Sequence, residues 1–165
     1  MAMNRFWRHV AMTPAKARRA FPDRTMDAIA LAIGESEKLH RGEICLVVEA
    51  ELTTPQLWRG LTSRERAREV FAAQGIWNTE ENNGVLVYVL LAEHRVEIVA
   101  DRGIDRHVAP DQWRAICDGM DAAFAAGRFE EGAIAGVRAV SELLARHFPE
   151  TGEGRNQLGD RPVLM

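Results

Sequence analysis

A chain of 165 residues with 47% apolar and 27% charged side chains has the length of one domain and ordinary globular composition. Its net charge of −3 gives no basic field of the kind that draws nucleic acid, so no nucleic-acid partner is expected. Cys45 and Cys117 stand singly in apolar runs, which excludes a disulfide framework and a CxxC zinc clip. The N-terminal stretch lacks the apolar core of a secretory signal, and no segment reaches the roughly 20 apolar residues that span a bilayer. A cytoplasmic location is the resulting expectation.

Residues 1–22 form a basic and aromatic arm, with Arg5, Arg8, Lys16, Arg18 and Arg19 interleaved with Phe6, Trp7 and Phe21. Two fates suit such an arm. It packs on its own domain, pinned by Trp7, or it contacts an anionic membrane surface. The first is preferred, because a membrane arm should show a cleaner amphipathic period.

Beyond the break at Pro22-Asp23, Met26, Ile29, Ala30 and Ile33 recur at helical spacing and predict a helix over about Arg24 to His40. Ile44 to Val48 is a continuous apolar run and predicts a strand buried on both faces. Thr53-Thr54-Pro55 breaks the chain. Thr62-Ser63-Arg64-Glu65 then has the form of a capping box ahead of a second helix. The polar turn ending at Gly84 leads into the longest apolar run, Val85 to Leu91, which predicts the central strand. Glu93-His94-Arg95 is short enough to make Val96 to Ala100 the antiparallel partner of a hairpin.

Pro110-Asp111 opens a third helix with Trp113, Ile116, Cys117, Met120 and Phe124 as its stripe. A last helix runs from about Phe129 to His147, where Pro149 stops it. Residues 150–165 are expected to form an irregular tail, and that tail and Val10 to Arg19 are expected to be dispensable for the core of the 23–149 domain. The order predicts an α/β fold, a three-layer α/β/α sandwich with a mixed sheet: strands 1 and 2 parallel through a right-handed crossover, strand 3 an antiparallel hairpin.

Asn82-Asn83-Gly84-Val85-Leu86-Val87, followed by Arg95-Val96-Glu97-Ile98-Val99-Ala100-Asp101-Arg102-Gly103-Ile104, resembles the central signature of TPM domains. Ala126-Gly127-Arg128-Phe129 through Val137 also looks like the family's last helix with its glycine-bearing opening. The resemblance runs from about Arg24 to His147 and is to the soluble bacterial branch. Where many members carry a Gly-Tyr-Gly-like turn, this chain has Asp101-Arg102-Gly103. The resemblance implies an α/β/α domain that in some members binds divalent cations and shows weak phosphatase activity. Partners it implies are another protein or a membrane-bound TPM relative.

The inferred strand directions bring the starts of strands 1 and 2 and the end of strand 3 to one edge. Glu43, Glu80, Asn82, Asn83, Asp101 and Asp105 gather there, as hard oxygen donors suited to Ca²⁺ or Mg²⁺. The competing account is that Asn and Asp at strand ends serve turns by bonding their own amides. No nucleophile elbow, P-loop or HExxH motif occurs, and His9, His40, His94, His107 and His147 lack ligand spacing. The expectation is a non-enzymatic interaction module that binds a divalent cation, with a cation-dependent phosphatase acting on small phosphate esters as the alternative.

Overall fold

The computed structural model describes residues 3–152 and 156–165. Two helices open the chain, α1 (Met3–Ala11) and α2 (Pro14–Ala20). Thr13 caps α2 by accepting from the Lys16 amide, and Pro14 occupies its first turn. Pro22 precedes α3 (Asp23–Ser36), which stops short of His40. The chain turns there because the Glu37 carboxylate accepts from the Ile44 amide, and because His40 makes an isolated bridge to Pro149.

Strand β1 (Glu43–Glu49) follows, and then a helix that the sequence showed only as a break, α4 (Thr54–Trp58). The expected capping box is present at α5 (Ser63–Ala73): Thr62 Oγ1 accepts from the Glu65 amide, and the Glu65 carboxylate accepts from the Thr62 amide. Strand β2 (Gly84–Leu90) and strand β3 (Arg95–Ala100) are joined by one turn of 3₁₀ helix at Leu91–Glu93, with His94 in the left-handed region at φ 49°. Short α6 (Arg102–Asp105), α7 (Pro110–Ala125) and α8 (Phe129–His147) come next. The tail contributes β4 (Val163–Leu164), so it is not irregular throughout.

The strands lie in the order β3-β2-β1-β4, with β1 parallel to both β2 and β4, and β3 antiparallel to β2. Glu43 pairs with Gly84 and Glu49 with Leu90, so the two central strands are in register from end to end. Helices cover both faces, as the continuous apolar runs required.

Alternation along the strands divides the interior in two. Ile44, Leu46 and Val48 of β1, with Val85, Val87 and Val89 of β2, meet Ile29 and Ile33 of α3, Phe124 of α7 and Val137 and Val140 of α8. Cys45, Val47, Leu86, Tyr88 and Leu90 turn the other way, onto Ala67 and Val70 of α5 and Leu57 of α4. The arm joins both layers, since Ala17 and Phe21 enter the first cluster while Phe6 packs on the second. Neither arm nor tail is simply an appendage. Each of these buried aliphatic side chains contributes about 1.5–3 kcal/mol relative to exposure.

Candidate functional site

The register puts the starts of β1 and β2 and the end of β3 at one end of the sheet. Backbone bonds fasten that end: Glu43 N to Asn83 O, Asp101 N to Gly84 O and Gly103 N to Asn82 O, at 3.0, 2.8 and 3.1 Å. The Asn-Asn-Gly entry has a steric cause. Asn82 sits at φ 52°, and a Cβ on Gly84 would lie 2.2 Å from the Ile76 carbonyl oxygen. Gly103 is constrained alike, since its Cβ would lie 2.4 Å from the Asn82 carbonyl oxygen.

The six proposed donors therefore share an edge, but their side chains divide among different tasks. Glu43 is buried and accepts from the tail amides of Gln157 and Leu158, at 3.1 and 3.2 Å. Asn83 is buried, takes the Thr79 hydroxyl with its amide N–H, and donates from Nδ2 to the Arg41 carbonyl. Asp101 is buried and caps α6, its Oδ1 accepting from the Arg102 amide at 2.6 Å. Glu80, Asn82 and Asp105 are exposed. Among the described residues, no group of three His, Cys, Asp or Glu side chains is placed to hold an ion. Two acceptors remain without a hydrogen-bond partner, Asn83 Oδ1 and Asp101 Oδ2.

Beside this edge opens a cavity of about 400 Å³ lined by Glu37, His40, Arg41 and Glu43, among others. Burial pushes the Glu37 carboxyl up to about 8; the Ile44 amide opposes this, and the Glu43 and Asp160 carboxylates add to it. Burial likewise raises Glu43 against the amides of Leu158 and Gln157. His40 is 1% exposed, neither ring nitrogen has a hydrogen-bond partner, and burial lowers its pKa. Arg41 is held by Glu81 through contacts of 3.2 and 3.1 Å.

The opposite end of the sheet is arranged differently. Glu49, at the end of β1, receives Arg66 of α5 in a forked pair, with Nε at 2.9 Å and Nη2 at 2.8 Å, and also accepts from the Tyr88 hydroxyl. Glu93 receives Arg5 Nε at 2.6 Å and His9 Nε2 at 2.9 Å, while His9 Nδ1 accepts from the Leu52 amide. The Nδ1 bond fixes the ring proton on Nε2, which donates to Glu93. Burial works against the Glu93 charge, but the bonds from His9 and Arg5 outweigh it and hold the carboxyl at about 2.

The three strands β1, β2 and β3 of the mixed sheet, the Asn-Asn-Gly entry and the basic hairpin into the Asp101–Gly103 turn all lie within residues 17–143, over which the TPM domain matches. The chain belongs to the TPM domain family. A solved structure with the same TPM fold, the BA42 protein of the psychrophilic bacterium Bizionia argentinensis, is 27% identical with a TM-score of 0.76. The likeness covers 86% of this chain and 93% of that one. No curated protein matches the chain. Helix α1 and strand β4 fall outside the matched TPM segment.

Sequence reasoning missed Glu37, His40 and the Glu49–Arg66–Tyr88 and Arg5–His9–Glu93 groups. A signal existed for the Glu49 group, since Glu49 ends an apolar run on the same face as Cys45 and Val47 and must be paired if buried. None existed for Glu37 or His40, whose burial depends on the tail folding back over them.

Proposed function

We propose that this TPM domain is a non-enzymatic binding module that takes one hard divalent cation at the sheet edge. The carrying observation is that Asn83 Oδ1 and Asp101 Oδ2 are buried acceptors without a hydrogen-bond partner, on backbone segments bonded to each other. An unpaired buried acceptor costs free energy that a cation or its bound water returns. With so few protein oxygens free, most of the ion's shell would be water. That condition suits Mg²⁺, which dehydrates reluctantly, better than Ca²⁺, which wants six to eight oxygens. Glu43 drops out of the proposed donor set because both its oxygens serve the tail.

A binding role rather than a catalytic one is supported by the state of the reactive groups. Burial pushes the Cys45 thiol up to about 11 and the Cys117 thiol up to about 12, so neither supplies a thiolate near neutral pH. Arg41, which lines the cavity beside this edge, is already paired with Glu81.

The thermal midpoint should rise with Mg²⁺, by the equivalent of about 2.7 kcal/mol at a hundredfold excess over the dissociation constant. Asp101→Ser should abolish that rise, and Asp105→Asn, on the exposed end of α6, should leave it intact. A midpoint indifferent to both Mg²⁺ and Ca²⁺ would defeat the cation site. Cation-dependent hydrolysis of a generic phosphate ester, lost in Asp101→Ser, would replace the binding module by the phosphatase.

A further inference from the structure

Helix α1 turns Arg5 and His9 inward beside Phe6 and leaves an apolar stripe outward. A surface helix ordinarily turns its apolar stripe inward and its charges to water. Here Arg5 and His9 face the domain, anchored on Glu93, the Leu61 carbonyl and the Leu52 amide. Met3, Trp7 and Val10, at i, i+4 and i+7, form the outward stripe and are 72%, 58% and 50% exposed. Trp7 touches Phe6 edge-on at 5.6 Å, yet it does not pin the arm; Arg5, His9 and Phe6 hold α1 to the domain.

The border of this stripe is cationic. Residues 3–22 contain no acidic side chain, and Arg8 of α1 and Lys16 at the start of α2 are exposed. Lys16 Nζ donates to the Ala11 carbonyl at 2.6 Å, which fixes an ammonium at the C-terminal end of the stripe.

We propose that α1 docks this protein on an anionic lipid bilayer, with Met3, Trp7 and Val10 entering the headgroup layer and the bordering cations on lipid phosphates. Indole is suited to that depth, having an apolar body and a polar N–H, and basic residues beside it add attraction to anionic lipid. A second copy of the chain fits the same stripe less well. A two-fold dimer sets a patch against itself, which would bring the two cationic borders together. Nine residues give a small apolar area, so docking is reversible and depends on lipid charge. The stripe lies outside the matched TPM segment, and the inference is independent of the cation site.

The test is co-sedimentation of the full chain with vesicles of phosphatidylcholine alone or mixed with phosphatidylglycerol. Binding is expected to the mixed vesicles, weak on phosphatidylcholine alone, and reversed by raised salt. Trp7→Ser should release the protein, and Arg8→Glu with Lys16→Glu should weaken partitioning by roughly 25-fold or more, about fivefold for each basic residue lost. Both variants should keep the parent's thermal midpoint, since they change exposed side chains. Absence of binding to the mixed vesicles, or binding that Trp7→Ser leaves unchanged, would overturn the proposal. So would a parent dimer that Trp7→Ser dissociates without any vesicle binding, which would assign the stripe to a second copy.

Discussion

Both ends of the sheet carry buried polar groups, but they satisfy them differently. Where β1 and β2 finish, each buried carboxylate has its partners: Glu49 has Arg66 and Tyr88, and Glu93 has Arg5 and His9. Where the strands start, Glu37 Oε2, both His40 nitrogens, Arg41 Nε, Asn83 Oδ1 and Asp101 Oδ2 are buried without a hydrogen-bond partner. Native interiors rarely leave such groups unpaired unless water, an ion or a ligand completes them. The finished end therefore contributes to stability and tethers the arm, and the unfinished end is the one that leaves acceptors open for the proposed cation.

That contrast is easiest to break at the finished end. Arg66→Ala would leave the Glu49 charge in a strand end with no counter-charge, and should destabilise the fold by about 3–5 kcal/mol in denaturant melts. Replacing Arg66 and Glu49 together by Met and Leu should cost much less, because it removes the charge as well as its partner. Equal losses in the single and double variants would mean that the forked pair does not govern the stability of this end.

At the unfinished end the expected signature is a pH slope. Glu37 ionises near 4.5 in the unfolded chain but holds its proton to about 8 when folded, so folding takes up a proton between those values. Stability should fall as pH rises from about 5 to 8, by no more than about 2 kcal/mol once partial exposure is discounted. Glu37→Gln should flatten the slope. A parent profile already flat across that range would show that water solvates this carboxyl.

Most of the fold was legible in the sequence, because apolar runs and helical stripes record burial directly. The strand directions, the capping box at Thr62 and the stop at Pro149 all follow from local chemistry. Helix α4 was hidden because Thr53-Thr54-Pro55 serves equally as a break and as a helix N-terminus, and Gln56 decides between them by accepting from the Thr53 amide. Strand β4 is two residues long and forms only because β1 offers a free edge. The site was legible as an edge but not as a donor set. Backbone direction follows from topology, whereas the use of each carboxylate depends on which amide reaches it first, as the tail amides reach Glu43.

The tether of α1 sharpens the comparison from the arm's side. Glu93, held at about 2, contributes stability that is present above the unfolded value of about 4.5 and is lost as pH falls through 2. Glu93→Gln should cost about 1.5 kcal/mol near neutrality, the scale of one hydrogen bond to a charged group. It should also raise protease cutting between Ala11 and Thr13, where the arm leaves α1. An unchanged cutting rate would mean that Phe6 alone holds the helix.

The smallest effect belongs to Asp101, and it tests whether the unfinished end is truly unfinished. Asp101 Oδ1 caps α6 through the Arg102 amide, whereas Oδ2 has no hydrogen-bond partner. Serine keeps an oxygen for the cap and removes the second one. If Oδ2 gives the folded protein nothing by itself, Asp101→Ser should shift stability by less than about 0.5 kcal/mol without added cation, while Asp101→Ala, which loses the cap, should cost about 1 kcal/mol. Chemical denaturation of both variants in chelator separates these cases. A loss in Asp101→Ser as large as in Asp101→Ala would mean that Oδ2 has a partner in solution, leaving Asn83 as the sole open acceptor among the two proposed cation donors.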